Sequence, residues 1–91
     1  MKKVYDWDNA KNRRLTKERK ISFEAIVSLI ESGNMIATAA GKGKYAHQKQ
    51  FIIELNRYIY VVPFIEDDQK IFLKTIIPSR KLTKKFLSGG K

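Results

Sequence analysis

The stretch QFIIELNRYIYVVPFI, residues 50–65, decides the fold class of this chain. It contains two runs rich in β-branched and aromatic residues, separated by the dipeptide Asn56-Arg57. Such runs on either side of a two-residue turn predict a β-hairpin with strands over 50–55 and 58–65. Pro63 has no amide hydrogen to donate, so it predicts an edge position or a bulge in the second strand.

The segment after the hairpin predicts one more strand and a short helix. Residues 66–69, Glu-Asp-Asp-Gln, have turn composition and lead into an apolar run over 70–77. Pro78 is expected to end that strand. Ser79 is a suitable N-cap for a helix that begins at Arg80 and ends near Leu87.

The segment before the hairpin predicts a strand, two helices and another strand. Residues 4–7 predict a short first strand or an extended arm, and Asp8 or Asn9 is expected to cap a polar helix that continues to about Lys20. Ser22 caps the second helix, which has helical spacing of apolar residues and ends at Gly33-Asn34. Residues 35–39 are expected to form a short strand after it. The predicted order is β-α-α-β-β-β-β-α, an α+β fold with a small antiparallel sheet, two N-terminal helices and a short C-terminal helix. We expect one domain over 1–87 and a flexible tail over 88–91.

Composition excludes several classes of site. The chain has 91 residues, is 43% hydrophobic and contains no cysteine, so disulfides, thiolate metal ligands and cysteine nucleophiles are excluded. It lacks the run of about 18 apolar residues that a membrane span needs. The basic start is followed by acidic residues and not by an apolar stretch, which argues against a signal peptide. We therefore expect a cytoplasmic protein with no membrane partner.

Positive charge is concentrated at the two ends of the chain. Residues 1–20 contain eight basic and three acidic side chains, whereas residues 70–91 contain seven basic side chains and no acidic one. The middle of the chain has six acidic and four basic side chains, and the net charge is +10. If the fold brings both ends together, they form one cationic face that attracts polyanions. The sequence therefore predicts nucleic acid as a partner.

The segment AGKGKYAHQK, residues 40–49, is too long for a tight hairpin turn. Its glycines allow backbone amides to approach a phosphate, but the spacing does not match a P-loop. His47 is the only histidine and is a candidate general acid or base. Lys42 and Lys44 are candidate catalytic cations, and Lys49 is a candidate RNA-binding residue. The alternative interpretation is a solvated surface loop.

The C-terminal helix presents the other group of candidates. Arg80 and Lys81 begin it and are predicted to hold a phosphate, because a guanidinium can grip two phosphate oxygens at once. Lys84 and Lys85 follow one helical turn later and are candidate RNA-binding residues. The alternative is that these charges serve solubility alone.

Two tyrosines and a lysine on the predicted strands complete the candidate set. Tyr58 and Tyr60 share one strand face, and Lys74 shares a face with apolar neighbours on the next strand. Aromatic rings near cations can stack on bases, although tyrosines on a sheet face also serve as core residues. One histidine and no cysteine exclude a structural zinc site, and the acidic residues give no convincing metal cluster. We expect no metal and no cofactor.

The two ends of the chain resemble one known family. Residues 5–12, YDWDNAKN, followed by residues 20–24, KISFE, resemble the opening of BrnT toxins. Residues 76–83, IIPSRKLT, resemble the end of those toxins. Two departures stand out, because Glu18-Arg19-Lys20 replaces a Lys-His-Gly motif and the loop around His47 does not match the family pattern.

The resemblance implies a ribonuclease toxin of the RelE superfamily in a type II toxin–antitoxin pair. Such toxins cleave RNA without a metal, in some cases on the ribosome, and are neutralised by a DNA-binding antitoxin, often of ribbon-helix-helix type. The resemblance places Arg80 and Lys81 on the active face. Two alternatives stay open: a nucleic-acid-binding module without catalysis, and a basic face that binds an acidic partner protein.

Overall fold

The computed structural model of the chain describes residues 3–40 and 48–88. The hairpin predicted from residues 50–65 is present, and it lies at the centre of a sheet. Asn56 and Arg57 both have positive φ angles, 54° and 64°, which is the conformation of a two-residue hairpin turn. The strands are β1 Val4–Trp7, β2 Met35–Ala40, β3 Lys49–Leu55, β4 Tyr58–Glu66, β5 Lys70–Leu73 and β6 Ile77–Pro78.

The six strands form one mixed sheet in the order β1-β5-β4-β3-β2, with β6 also paired to β4. The pairs among β2, β3, β4, β5 and β6 are antiparallel, as the hairpin pattern predicts. Strand β1 adds a parallel pair with β5, from Val4 beside Lys70 to Trp7 beside Leu73. The α+β class and the element order are confirmed, and the sheet differs from the prediction by this parallel edge and by a break in the last predicted strand.

The strand expected over 70–77 is interrupted between Leu73 and Ile77. The β4–β5 register, extended by one residue, places Lys74 opposite Pro63, and the Lys74 amide donates to the Pro63 carbonyl at 2.8 Å. Pro63 has no amide to donate in return, so the ladder cannot close there. Pairing resumes at Ile77 opposite Val61, with the register shifted by one residue. Pro63 therefore lies inside a central strand, and the irregularity falls on its partner strand.

Helices α1 Asn9–Arg19 and α2 Phe23–Glu31 form as the capping residues predict. The Asp8 carboxylate accepts from the amides of Ala10 and Lys11, and the Ser22 hydroxyl accepts from the amide of Ala25. Both helices pack on one face of the sheet around a hydrophobic core. That core consists of buried residues from α1, α2 and the strands: Leu15, Ile21, Phe23, Ile26, Phe51, Ile53, Val62, Phe64, Leu73 and Ile76.

The C-terminal helix is short, as expected, and changes its geometry midway. Helix α3 Arg80–Thr83 is α-helical and continues as a π-helical turn over Lys84–Ser88. The Ser79 hydroxyl accepts from the Leu82 amide and so caps α3. The Ser79 amide donates to the Ile59 carbonyl, and the Ile59 amide donates to the Thr83 hydroxyl. Helix α3 therefore replaces a neighbouring strand beside β4 at this position.

None of the helices within residues 3–40 and 48–88 is long and apolar enough to cross a membrane.

Candidate nucleic-acid interface

The interruption between β5 and β6 opens into a cleft of about 300 Å³. Side chains from four parts of the chain line it: Lys11 from α1, Gln48 just before β3 and Gln50 within it, Pro63 from β4, and Lys74, Thr75 and Ile77 from the interrupted strand. We call this cavity the cationic cleft. It lies where the N-terminal basic segment, through Lys11, meets the C-terminal basic segment, through Lys74.

The proline in β4 positions the first of these cations. In a regular ladder the carbonyl of Lys74 would accept from the amide of residue 63, but Pro63 has none. The Lys11 ammonium donates to this carbonyl at 3.1 Å instead. One of its three hydrogens is used in this way, and the other two remain available to a ligand. A long, flexible side chain is thus held at the mouth of the cleft by a backbone atom.

The described residues that line the cationic cleft include two lysines and no carboxylate. Within the part of the chain that the structure describes, neither Lys11 nor Lys74 forms an ion pair. A second cleft of about 280 Å³ differs, because Lys3 and Glu31 both line it and its charges oppose each other. The first cleft is therefore the one suited to an anion.

Nearby carboxylates are engaged elsewhere. Glu66 lies 2.6 Å from the Lys3 ammonium and 3.7 Å from that of Lys49. The hydrogen bond from Lys3, together with the positive charges of Lys3 and Lys49, lowers the pKa of Glu66. Asp6 pairs with Lys70 at 3.5 Å. These carboxylates are committed to surface ion pairs and do not line the cationic cleft.

Two glutamine amides add hydrogen-bonding capacity to the cleft. Gln48, just before β3, and Gln50, within it, are both half-buried and both line the cleft. Among residues 3–40 and 48–88, neither side-chain amide has a hydrogen-bond partner. Each amide offers a donor group and an acceptor group, and Pro63 and Ile77 provide an apolar surface beside them.

Arg80 and Lys81, the predicted phosphate-binding residues, are both exposed at the start of α3. Ser79 and Thr83 explain that exposure, because their hydrogen bonds to Ile59 fix the opposite side of the helix to β4. Arg80 follows Ile77, which lines the cationic cleft, by three residues. The segment 76–83, which resembles the end of BrnT toxins, thus contains both the residues that attach α3 to β4 and two exposed cations.

The four predicted RNA-binding lysines occupy different surroundings. Lys74 lines the cationic cleft, whereas Lys49 pairs with Glu66. Lys84 and Lys85 are exposed in the π-helical turn, and the Lys85 ammonium lies 5.9 Å from the centre of the Phe86 ring. The structure therefore brings only Lys74 of this set into the cleft lining.

The two predicted base-stacking tyrosines lie on the helix-covered side of the sheet. Tyr58 and Tyr60 are half-buried, and their ring centres are 5.6 Å apart. Tyr60 packs against the hydrophobic core. Their surroundings are those of core-edge residues, and neither tyrosine lines the cationic cleft. The predicted catalytic residues His47, Lys42 and Lys44 lie outside the described residues, as do Gly89, Gly90 and Lys91 of the predicted tail.

The opening motif, residues 5–12 and 20–24, joins the two N-terminal helices. Trp7 stacks on Phe23 with ring centres 5.8 Å apart. The buried Asn12 side chain accepts from the Phe23 amide and donates to the Glu24 carboxylate, each at 2.8 Å. The hydrogen bond from Asn12 is the main cause that lowers the pKa of Glu24. Most of the motif therefore stabilises the fold, and Lys11 is the residue that reaches the cleft.

Sequence reasoning missed Lys11, Gln48 and Gln50 as site residues. Lys11 belongs to the motif that resembles BrnT toxins, which is the one signal that distinguishes it from the other basic residues of α1. Nothing in the local sequence marks the two glutamines, because their role depends on the break between β5 and β6.

No family model matches this chain, and no curated protein or solved structure matches it either.

Proposed function

We propose that this protein is the toxin of a type II toxin–antitoxin pair and cleaves RNA at a cationic surface. The observation that carries the proposal is the meeting of the two basic terminal segments at the cationic cleft, through Lys11 and Lys74. A site lined by cations and without carboxylates favours a phosphate backbone. The cleavage reaction and the antitoxin rest on the resemblance of residues 5–12, 20–24 and 76–83 to BrnT toxins.

The proposed reaction needs no metal. The 2′-hydroxyl of one nucleotide attacks the adjacent phosphorus, the bond from phosphorus to the 5′-oxygen breaks, and a 2′,3′-cyclic phosphate forms. A base removes the proton from the 2′-hydroxyl, and an acid supplies a proton to the leaving 5′-oxygen. We assign phosphate binding and charge stabilisation to Arg80 and Lys81, which are exposed on α3. We assign proton transfer to His47, Lys42 or Lys44.

Lys11 and Lys74 have a different role in this proposal. They hold the strand through a neighbouring phosphate, and their charges are not neutralised by any carboxylate in the described residues. Binding of this kind fixes the register of the RNA without taking part in the bond-breaking step.

A nucleic-acid-binding module without catalysis is the second candidate, and one observation favours it. The described lining of the cationic cleft offers ammonium and amide groups but no imidazole and no carboxylate. Such a lining supports binding by itself, whereas general acid–base catalysis at neutral pH needs a group that titrates in that range.

The test is to replace Arg80 by alanine and to measure both growth arrest and RNA cleavage. We expect Arg80→Ala to remove cleavage in the presence of a chelator and to abolish growth arrest on expression, while the thermal unfolding midpoint stays within about 2 °C, because exposed substitutions have small effects. Cleavage products should end in 2′,3′-cyclic phosphates. Arg14→Ala, an exposed arginine on α1, is the matched control and should keep full activity.

Two results would contradict the proposal. Unchanged cleavage by Arg80→Ala would remove this residue from the mechanism. Retention of intact RNA by the wild-type protein, in buffer and in a translating extract, would favour the binding module. The extract is included because a ribosome-dependent enzyme is inactive on free RNA.

A further inference from the structure

We infer that the cationic cleft holds one unpaired nucleobase and that Gln48 and Gln50 recognise the edge of that base. This inference rests on the proposed binding of RNA and adds the class of substrate, a single strand with an accessible base. It does not require that the protein cleave the strand.

The first argument is that the lining contains two kinds of polar group, charged ammonium groups and neutral amides. Lys11 and Lys74 provide the charge that a phosphate needs, whereas Gln48 and Gln50 add nothing to that charge. A site for phosphate alone has no need of two neutral amides. A primary amide places a donor and an acceptor side by side, which matches the adjacent donors and acceptors along a base edge.

The second argument is the state of those amides. Both glutamines are half-buried, and in the described part of the chain their side chains have no hydrogen-bond partner. A half-buried amide without a protein partner is hydrogen-bonded to water, which a ligand group can displace. The amide atoms of both glutamines are accessible to solvent, because no buried side-chain nitrogen or oxygen in residues 3–40 and 48–88 lacks a partner. The unpaired amides in the cleft are therefore available to a ligand.

The third argument is the shape of the cleft. Pro63 and Ile77 give it an apolar wall, and its volume is about 300 Å³. An apolar wall beside unpaired amides accommodates a flat base with a polar edge. A double helix would keep its base edges in the grooves and could not insert a base into such a cleft, so an unpaired base is the fitting ligand.

The experiment compares binding to strands with and without bases. The probes are 2′-O-methyl octanucleotides of A, C and U and an abasic octamer with the same number of phosphates. The 2′-O-methyl group blocks attack by the sugar hydroxyl, so binding is measured without cleavage. We expect the wild-type protein to bind at least one base-bearing strand about fivefold or more tighter than the abasic strand, as measured by fluorescence anisotropy.

Replacing the two amides should remove that preference. In Gln48→Leu/Gln50→Leu the ratio of affinities for base-bearing and abasic strands should fall to about 1–2, with the affinity for the abasic strand unchanged. Gln69→Leu, an exposed glutamine in the β4–β5 turn, should keep the wild-type ratio. Each single variant should be measured too, and circular dichroism should show that each is folded.

Two outcomes would overturn the inference. One is a wild-type ratio near 1, and another is an unchanged ratio in the double variant. If the ratio behaves as expected and no RNA is cleaved, base recognition stands and the nuclease proposal fails. If RNA is cleaved and the ratio is near 1, the nuclease proposal stands and base recognition fails.

Discussion

Lys11 and Asn12 are neighbours on α1, yet Asn12 lies in the junction between the two N-terminal helices and Lys11 lies at the cationic cleft, and the two regions treat their polar groups differently. Asn12 is buried in the helix junction, where its amide bridges the Phe23 backbone and the Glu24 carboxylate. Lys11 is half-buried at the cationic cleft, where its ammonium contacts one backbone carbonyl and keeps two hydrogens free. The junction satisfies its polar groups internally, whereas the cleft leaves them for a ligand.

This difference separates stability from binding within one short motif. Changes at the junction should alter the free energy of unfolding, because they leave buried groups without partners. Changes at the cleft should alter affinity for nucleic acid, because its charges and amides do not stabilise the core. Three substitutions test this separation.

The largest effect should come from Asn12→Ala. The substitution leaves the Phe23 amide without its hydrogen-bond partner in a buried position, which costs about 2 kcal/mol of unfolding free energy. Urea unfolding followed by tryptophan fluorescence measures this loss, and Trp7 is a suitable probe because it stacks on Phe23. Asn9→Ala, at an exposed position of the same helix, is the control. Equal stability of the two variants would show that the junction does not depend on Asn12.

An intermediate effect, on binding alone, should come from Lys11→Met. Removing one phosphate contact should reduce the slope of log affinity against log salt concentration by about 0.7 for a single strand. The measurement is anisotropy with an octanucleotide over a series of salt concentrations. Lys17→Met changes an exposed lysine on the same helix and should leave the slope unchanged. If the slope falls equally in both variants, nucleic acid binds to the overall positive charge of the protein and not specifically at the cationic cleft.

The smallest effect should be a pH dependence that arises from Glu24. The Asn12 hydrogen bond lowers the pKa of Glu24 below its ordinary value, so its stabilising contribution is complete above the unfolded pKa of about 4.5 and is lost as pH falls through the folded pKa. Glu24→Gln keeps an acceptor for Asn12 but does not titrate. Between about pH 5 and pH 3, the wild-type protein should therefore lose slightly more stability than this variant.

The pH prediction can be tested further by combining the Asn12 and Glu24 substitutions. In an Asn12→Ala background, replacing Glu24 by glutamine should change the slope of stability against pH by less than in the wild-type background, because the largest cause of the lowered pKa of Glu24 is absent and only the hydrogen bonds from its own amide and from Ser22 remain. If the difference is equally large in that background, the pH dependence of Glu24 does not come from Asn12.

The sequence predicted most of the fold because the decisive signals are local. The apolar run over 50–65, the capping side chains of Asp8, Ser22 and Ser79, and Gly33 with its positive φ each act within a few residues. The parallel pairing of β1 with β5 could not be predicted in this way. It joins segments more than 60 residues apart in the chain, and four residues carry no pattern that specifies a partner.

The candidate site was predictable only in part, for a related reason. Clustered charge identified Arg80 and Lys81 as exposed cations, and the structure places both on the surface. The cleft itself results from one proline and a register shift between β4 and the two strands that follow it, and Lys11 reaches it from 63 residues earlier in the chain. Lys11, Gln48 and Gln50 gain their significance from that geometry, which no local composition encodes.

Pro63 has a consequence that extends beyond the sheet. Because its ring nitrogen carries no hydrogen, the Lys74 carbonyl on the opposite strand lacks its usual backbone donor. That carbonyl oxygen instead accepts a hydrogen bond from the Lys11 ammonium of α1. A residue with an ordinary amide at this position would compete for that oxygen and release the tether. The electrostatics of the surface can therefore be tuned from within the sheet by a side chain that carries no charge.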